Sequence, residues 1–153
     1  MLLKFGEAEK VLVELDWFDG PRAGIANIEG APHRFRSYFN DEKDDWDDFF
    51  KVWPIGEREL ELELEQWRIF VEWSERFDAG VSTTAEHPAH GGIDKRWDEI
   101  EEELKGGCRK IPISARTAYA KFEYRRGEKQ YQFDGPNYSV RWVLLEQAQE
   151  TAV

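Results

Sequence analysis

Cysteine is nearly absent from this chain: Cys108 is the only one in 153 residues. A single thiol excludes an intrachain disulfide and any zinc site built on paired cysteines, and it suits a reducing compartment. No G-x-S-x-G elbow, phosphate loop or dinucleotide fingerprint occurs, so the commonest nucleophilic and nucleotide-binding classes have no foothold. No apolar run approaches the roughly 18 to 20 residues that span a bilayer, and the opening MLLKFGEAEK lacks the apolar stretch of a secretory signal. A soluble, cytoplasmic protein without a membrane partner is expected. Positive charge is scarce as well, with 21 Lys and Arg against 32 Asp and Glu and a net charge of −11. Such an excess repels nucleic-acid phosphates, so direct nucleic-acid binding is not expected and a basic protein is the favoured partner.

Apolar material is plentiful, at 41% of the residues with seven Trp and ten Phe, enough for one real core. A single α+β domain over residues 1–153 follows. The charge is uneven: residues 1–56 balance at −5, residues 57–105 at −9 and residues 106–153 at +3. The simplest consequence is that the basic last third packs against the acidic middle and partly neutralises it. A basic groove for an anionic ligand is the alternative.

VLVELDW alternates, which places Val11, Val13, Leu15 and Trp17 on one face of a strand. IANIEG reads as a second strand. In HRFRSYF, His33, Phe35, Ser37 and Phe39 alternate with Arg34, Arg36 and Tyr38, giving a third. FFKVWPI adds a fourth that Pro54 ends. Between them DEKDDWDD is an acidic loop. RELELELE alternates too, but Glu and Leu are helix formers without β-branches, so the segment is read as a helix ending near Asp78-Ala79-Gly80. Its apolar arc is about 220° wide, as for a helix covered on more than one side, and Glu63 and Gln66 fall inside it. A carboxylate there needs a partner or a raised pKa; the simpler expectation is that Glu63, close to the helix start, reaches solvent. Ile93, Trp97, Ile100 and Leu104 mark a second, surface helix that ends at Gly106-Gly107. SARTAYAKFEYRRG has helical spacing as well as β-formers and is read mostly as strand, followed by YQF and YSVRWVLLE. The expected architecture is α+β: antiparallel β-meanders at both ends forming one sheet, backed by a central helical hairpin.

FDGP occurs at residues 18–21 and again at 133–136. Pro21 and Pro136 cannot donate the hydrogen bond that closes a two-residue Asp-Gly hairpin, so each turn is expected to shift by one residue, with Pro at its second position. Asp19 and Asp134 would then accept from the amides of Arg22 and Asn137. If both loops lie at one end of the sheet, Asp19, His33 and Asp134 are the candidate catalytic set of a small hydrolase or metal-dependent enzyme. His33 is otherwise a half-buried, hydrogen-bonded core histidine.

Asp44, Asp45, Trp46, Asp47 and Asp48 are the candidate binding residues, because an exposed Trp among carboxylates is an anchor for a basic surface. The run lacks the central Gly and distal Glu of a calcium loop. His87 and His90 are spaced as metal ligands, but Pro88 opposes the helix that would present them together and no third ligand is specified, so a loop with two incidental histidines is the default. Cys108 precedes Arg109 and Lys110, which would favour its thiolate, yet no base is placed beside it. No cofactor is implied.

The segments DWFDGPRAGIANIEGAPHRF and LELEQWRIFVEWSERFDAG, followed by HPAH and an acidic helix, resemble a group of small bacterial proteins of unknown function. The likeness covers residues 11 to 105 and rests on Asp19-Gly20-Pro21, Pro32-His33 and Trp67 with Trp73. It implies neither an activity nor a catalytic residue. The expected function is a non-catalytic, acidic protein-binding module of inhibitor or immunity type.

Overall fold

The computed structural model describes residues 4–47, 49–106 and 109–145. Asp48 and Cys108 lie outside the described residues. Strands β1 (Glu9–Trp17), β2 (Pro21–Ile28) and β3 (Ala31–Arg36) form the first meander. A small hairpin of β4 (Phe39–Asn40) and β5 (Asp45–Trp46) leads to β6 (Phe49–Pro54). Helix α1 (Glu57–Asp78), short 3-10 turns at Thr84–Glu86 and Pro88–His90, and α2 (Lys95–Leu104) follow. The chain then returns to strands in β7 (Arg116–Tyr124), β8 (Tyr131–Gln132), β9 (Gly135–Pro136) and β10 (Tyr138–Leu144). No helix of the described residues is long and apolar enough to cross a membrane.

The α+β class holds, but the two meanders do not make an open sheet backed by a helical hairpin. Six strands close into an antiparallel barrel in the order β1-β10-β7-β6-β3-β2. β10 joins the two ends of the chain, pairing with β7 from Tyr138 to Leu144 and with β1 at Glu9 and Lys10. Closure needs strong coiling, and β1 supplies it: its register against β2 shifts between Val11 and Val13, between Glu14 and Asp16, and again at Trp17. Each extra residue bends the strand and increases its twist. Gly24 allows the close approach, since a Cβ there would sit 2.3 Å from the Val13 carbonyl oxygen and 2.8 Å from the Phe35 ring.

These bulges overturn the simple alternation expected of β1. Val11 joins Phe35, Phe50, Tyr138, Val140 and Trp142 inside the barrel. Val13, shifted by one residue, packs instead with Ile25, Trp67 and Val71 in a second core between barrel and α1. Trp17 is left exposed. A third core, of Leu62, Ile100 and Leu104, joins α1 to α2. Helix α1 is therefore covered on two sides, as its wide apolar arc requires.

Glu63 does not reach solvent. It is 1% exposed, and its carboxylate accepts from Arg34 at 2.6 Å and from Arg109 at 2.8 and 3.0 Å. Arg34, on the face of β3 expected to be polar and open, is 2% exposed beneath α1. Burial of either charge alone is prohibitive, so each requires the other. Arg109 also reaches Glu101, so among the described residues the ion pairing between the basic last third and the acidic middle is made by this one guanidinium.

Candidate functional site

The two FDGP copies lie at opposite ends of β1. Asp134 stands at its start, 3.6 Å from Lys10, and Gly135 is held so close that a Cβ would lie 2.3 Å from the Val11 carbonyl oxygen. Asp19 follows the end of the same strand, roughly 20 to 25 Å away at about 3.3 Å per residue. His33 pairs with Ala26, which pairs with Val11, and its Nδ1 contacts the Ala31 carbonyl oxygen at 2.7 Å. It is a half-buried, hydrogen-bonded histidine two strands away from Val11. Asp19, His33 and Asp134 therefore do not assemble into one site.

The turns differ from expectation as well. Pro21 already pairs with Trp17, and the Phe18 amide donates to the Gly20 carbonyl at 2.9 Å, so the first loop is Phe18-Asp19-Gly20 rather than one shifted onto Pro21. Asp19 takes a left-handed φ of 53°, a conformation Asp tolerates better than most residues. The expected aspartate bracing is reversed: the Arg22 side chain donates to the Phe18 and Asp19 carbonyls at 2.7 and 3.1 Å. The Asn137 amide donates to Gln130.

Trp46 is not the exposed anchor of the acidic loop. Its ring is half-buried between Phe18 and Phe39, with centroids 6.0 and 5.7 Å away, and the Arg22 guanidinium lies 4.6 Å over its face. Its indole Nε1 is buried without a partner among the described residues. The exposed side chains of this tip are Phe18 at 63% and Phe39 at 43%, which pack on Trp46, and Tyr38 at 49%. Asp44 and Asp45 are exposed beside them. Asp47 is half-buried, accepting from Asn40 at 3.1 Å and lying 3.8 Å from Lys43. The Asn40 side-chain Oδ1 accepts from the backbone amides of Glu42 and Lys43, which shapes the loop.

The aromatic tip runs on into a cleft through Trp17, which stands 6.0 Å from Tyr124 and lines the opening. The cleft has a volume of about 320 Å³ and is bounded by β1, α1, the turn at Pro88–His90 and α2. Trp67 and Phe70 form one wall and Trp97 another. Glu14, Asp16, Glu63, Gln66, Glu101 and Arg109 supply its polar groups. The Glu14 carboxylate accepts from the hydroxyls of Tyr131 and Tyr138, both at 2.8 Å. Burial holds its pKa above the ordinary 4.5, the two tyrosine hydrogen bonds pull it back down, and nearby Asp16 adds to the rise. Burial and the Glu14 charge push both tyrosines up, so they remain donors.

His87 is no incidental loop residue. Its ring packs 4.4 Å from that of Trp73 and 5.6 Å from that of Phe70, and it lines the cleft. Burial, then His90, lowers its pKa, and its Nδ1 accepts from the Ala89 amide at 3.0 Å, so the neutral imidazole carries its proton on Nε2. His90 contacts the Thr84 carbonyl oxygen instead. The two histidines thus serve different neighbours. Among the described residues no group of three or more His, Cys, Asp or Glu side chains is gathered as a metal ion would require.

Comparison with protein families, with curated proteins and with solved structures finds no match to this chain. The surface itself is what carries functional information.

The helical pattern singles out Glu63 and Gln66, but nothing in the strand pattern marks Glu14, Asp16 or Trp17 as lining a cleft. A Glu in an alternating strand normally faces water. Only the bulges of β1, which have no signature in the pattern VLVELDW, turn Glu14 onto two tyrosines from the far end of the chain.

Proposed function

We propose that the protein is a non-catalytic, cytoplasmic binding module that docks a basic protein partner, in the manner of an inhibitor or immunity protein. Its contact surface is the β1–β2 tip together with the β4–β5 hairpin. One observation carries this: exposed Phe18, Tyr38 and Phe39 stand among carboxylates that enter no ion pair with any described residue, namely Asp19, Asp41, Glu42, Asp44 and Asp45. Two cations in these loops are already engaged, Arg22 over Trp46 and Lys43 with Asp47. An apolar centre with a charged rim is the usual anatomy of a protein interface, in which the aromatic groups supply affinity and the rim supplies steering and salt dependence. The likeness of residues 11 to 105 to small bacterial proteins of unknown function is kept as part of this proposal and lends it no activity.

Capture of binding proteins from the native host tests it. A partner held at low salt should be released as salt rises. Phe18→Ala should weaken capture by about 2 kcal/mol or more if Phe18 is a central anchor. Reversal of Asp44 and Asp45 to Lys should slow association and reduce the salt dependence. Equal capture by wild type and the charge-reversed protein at low salt would exclude this surface.

A further inference from the structure

We propose that the cleft between β1, α1 and α2 binds an organic cation, an alkylammonium or guanidinium group on a short apolar stem. This site adjoins the docking tip at Trp17 but does not rest on the tip's proposed role. Its volume, about 320 Å³, falls within the roughly 300 to 1,000 Å³ typical of small-ligand sites. Trp17, Trp67 and Trp97 are among the residues that line it, with Trp67 itself largely buried, and aromatic groups attract cations through their quadrupole.

The charge lining the cleft points the same way. Four carboxylates, Glu14, Asp16, Glu63 and Glu101, share it with one guanidinium, that of Arg109. Arg109 has little left for an anionic ligand. It donates twice to Glu63 at 2.8 and 3.0 Å, once to Glu101 at 2.8 Å and once to Gln66 at 3.0 Å. Arg34 adds a second positive charge behind Glu63, but it too is committed there and to Glu59. Asp16 is different: it is exposed and enters no ion pair with any described residue. His87 adds no positive charge, because its Nδ1 is an acceptor. A phosphate or carboxylate entering here would face Asp16 with no free cation among the described lining residues to meet it. An ammonium or guanidinium would find an unpaired carboxylate beside aromatic faces, while its stem lies against Trp67 and Phe70.

The same cation could arrive as a free metabolite or as a lysine or arginine side chain of a protein. Trp indole N–H signals distinguish them in a titration of the intact protein. One arm uses n-butylammonium and n-butylguanidinium; the other uses Gly-Gly-Lys-Gly-Gly and Gly-Gly-Arg-Gly-Gly; N-butylacetamide is the neutral control. The expected result is a saturable shift of the Trp17 and Trp97 signals with a Kd of about 1 mM or tighter, and none for Trp142 inside the barrel. Asp16→Asn, a change at an exposed and unpaired residue, should weaken binding about tenfold. Saturation by the small cations with no binding of the peptides assigns the site to a free ligand, and saturation by the peptides, with or without the small cations, assigns it to a partner's side chain. The proposal is overturned if neither arm saturates, if N-butylacetamide binds equally well, or if Asp16→Asn binds like wild type. None of these outcomes depends on the tip, whose test is the protein capture.

Discussion

Glu14 is held between two tyrosine hydroxyls, and its burial makes it a pH-dependent element of stability. Its folded pKa lies above the ordinary 4.5, so the folded protein holds the proton more tightly than the unfolded chain does. The stability this provides is complete below pH 4.5 and is lost as pH rises through the folded value. Glu14→Gln has no charge to form; its Oε1 accepts from one tyrosine hydroxyl, and the other hydroxyl turns to accept from its Nε2–H. Its melting temperature should exceed that of wild type at about pH 8, and the gap should close by about pH 4. A gap that widens towards acid would show that burial does not control this group. His87 acts in the opposite sense: its folded pKa lies below 6.5, so stability is lost as pH falls from 6.5 through the lower folded value. At the same scale Gly135 is required by contact, because its φ of 131° and its approach to Val11 leave no room for a side chain.

At the scale of elements, the central question is what fastens α1 to the barrel. Val13, Ile25, Trp67 and Val71 provide an apolar seam, and the Trp67 indole donates to the Gln132 carbonyl at 2.7 Å. Across it runs the Arg34–Glu63–Arg109 network, which links β3, α1 and the segment after α2. Glu63→Leu would leave Arg34 buried with only Glu59, 3.4 Å away. Removing one partner of a buried pair costs about 3 to 5 kcal/mol, and that loss should appear in urea unfolding. Adding Arg34→Leu should recover part of it by removing the orphaned charge, with a coupling of about 0.5 to 3 kcal/mol. A Glu63→Leu loss below about 1 kcal/mol would mean that the apolar seam alone holds the helix. The wide apolar arc of α1 and the odd position of Glu63 within it were legible in the sequence. The partner was not, because Arg34 sits in a strand where alternation assigns it to the outside.

For the molecule as a whole, the first and last strands of the barrel are neighbours, so no part of the barrel closes until β10 is in place. β10 contributes Tyr138, Val140 and Trp142 to the interior. A chain ended at Gln130 should lose near-ultraviolet circular dichroism and show no cooperative urea transition, since the remaining strands would expose both edges and an unfilled core. A sharp transition in that fragment would show that the N-terminal meander and α1 form a folding unit by themselves.

The sequence by itself determined the local elements: strands at both ends of the chain, helices between them, turns at the glycines and a strongly acidic surface. These follow from periodicity, propensity and composition, which act over a few residues. Only the tertiary structure decided that the sheet closes, that Val11 and Val13 serve different cores, that the FDGP loops lie apart and that Trp46 turns inward beneath Phe18. It alone assembled the cleft, because Glu14 and Tyr138 meet across 124 residues. Each of these outcomes is set by contacts between residues far apart in the chain. A strand bulge shifts every later side chain to the other face, and a buried charge is set by a partner distant in sequence. Neither leaves a mark on the spacing of nearby residues.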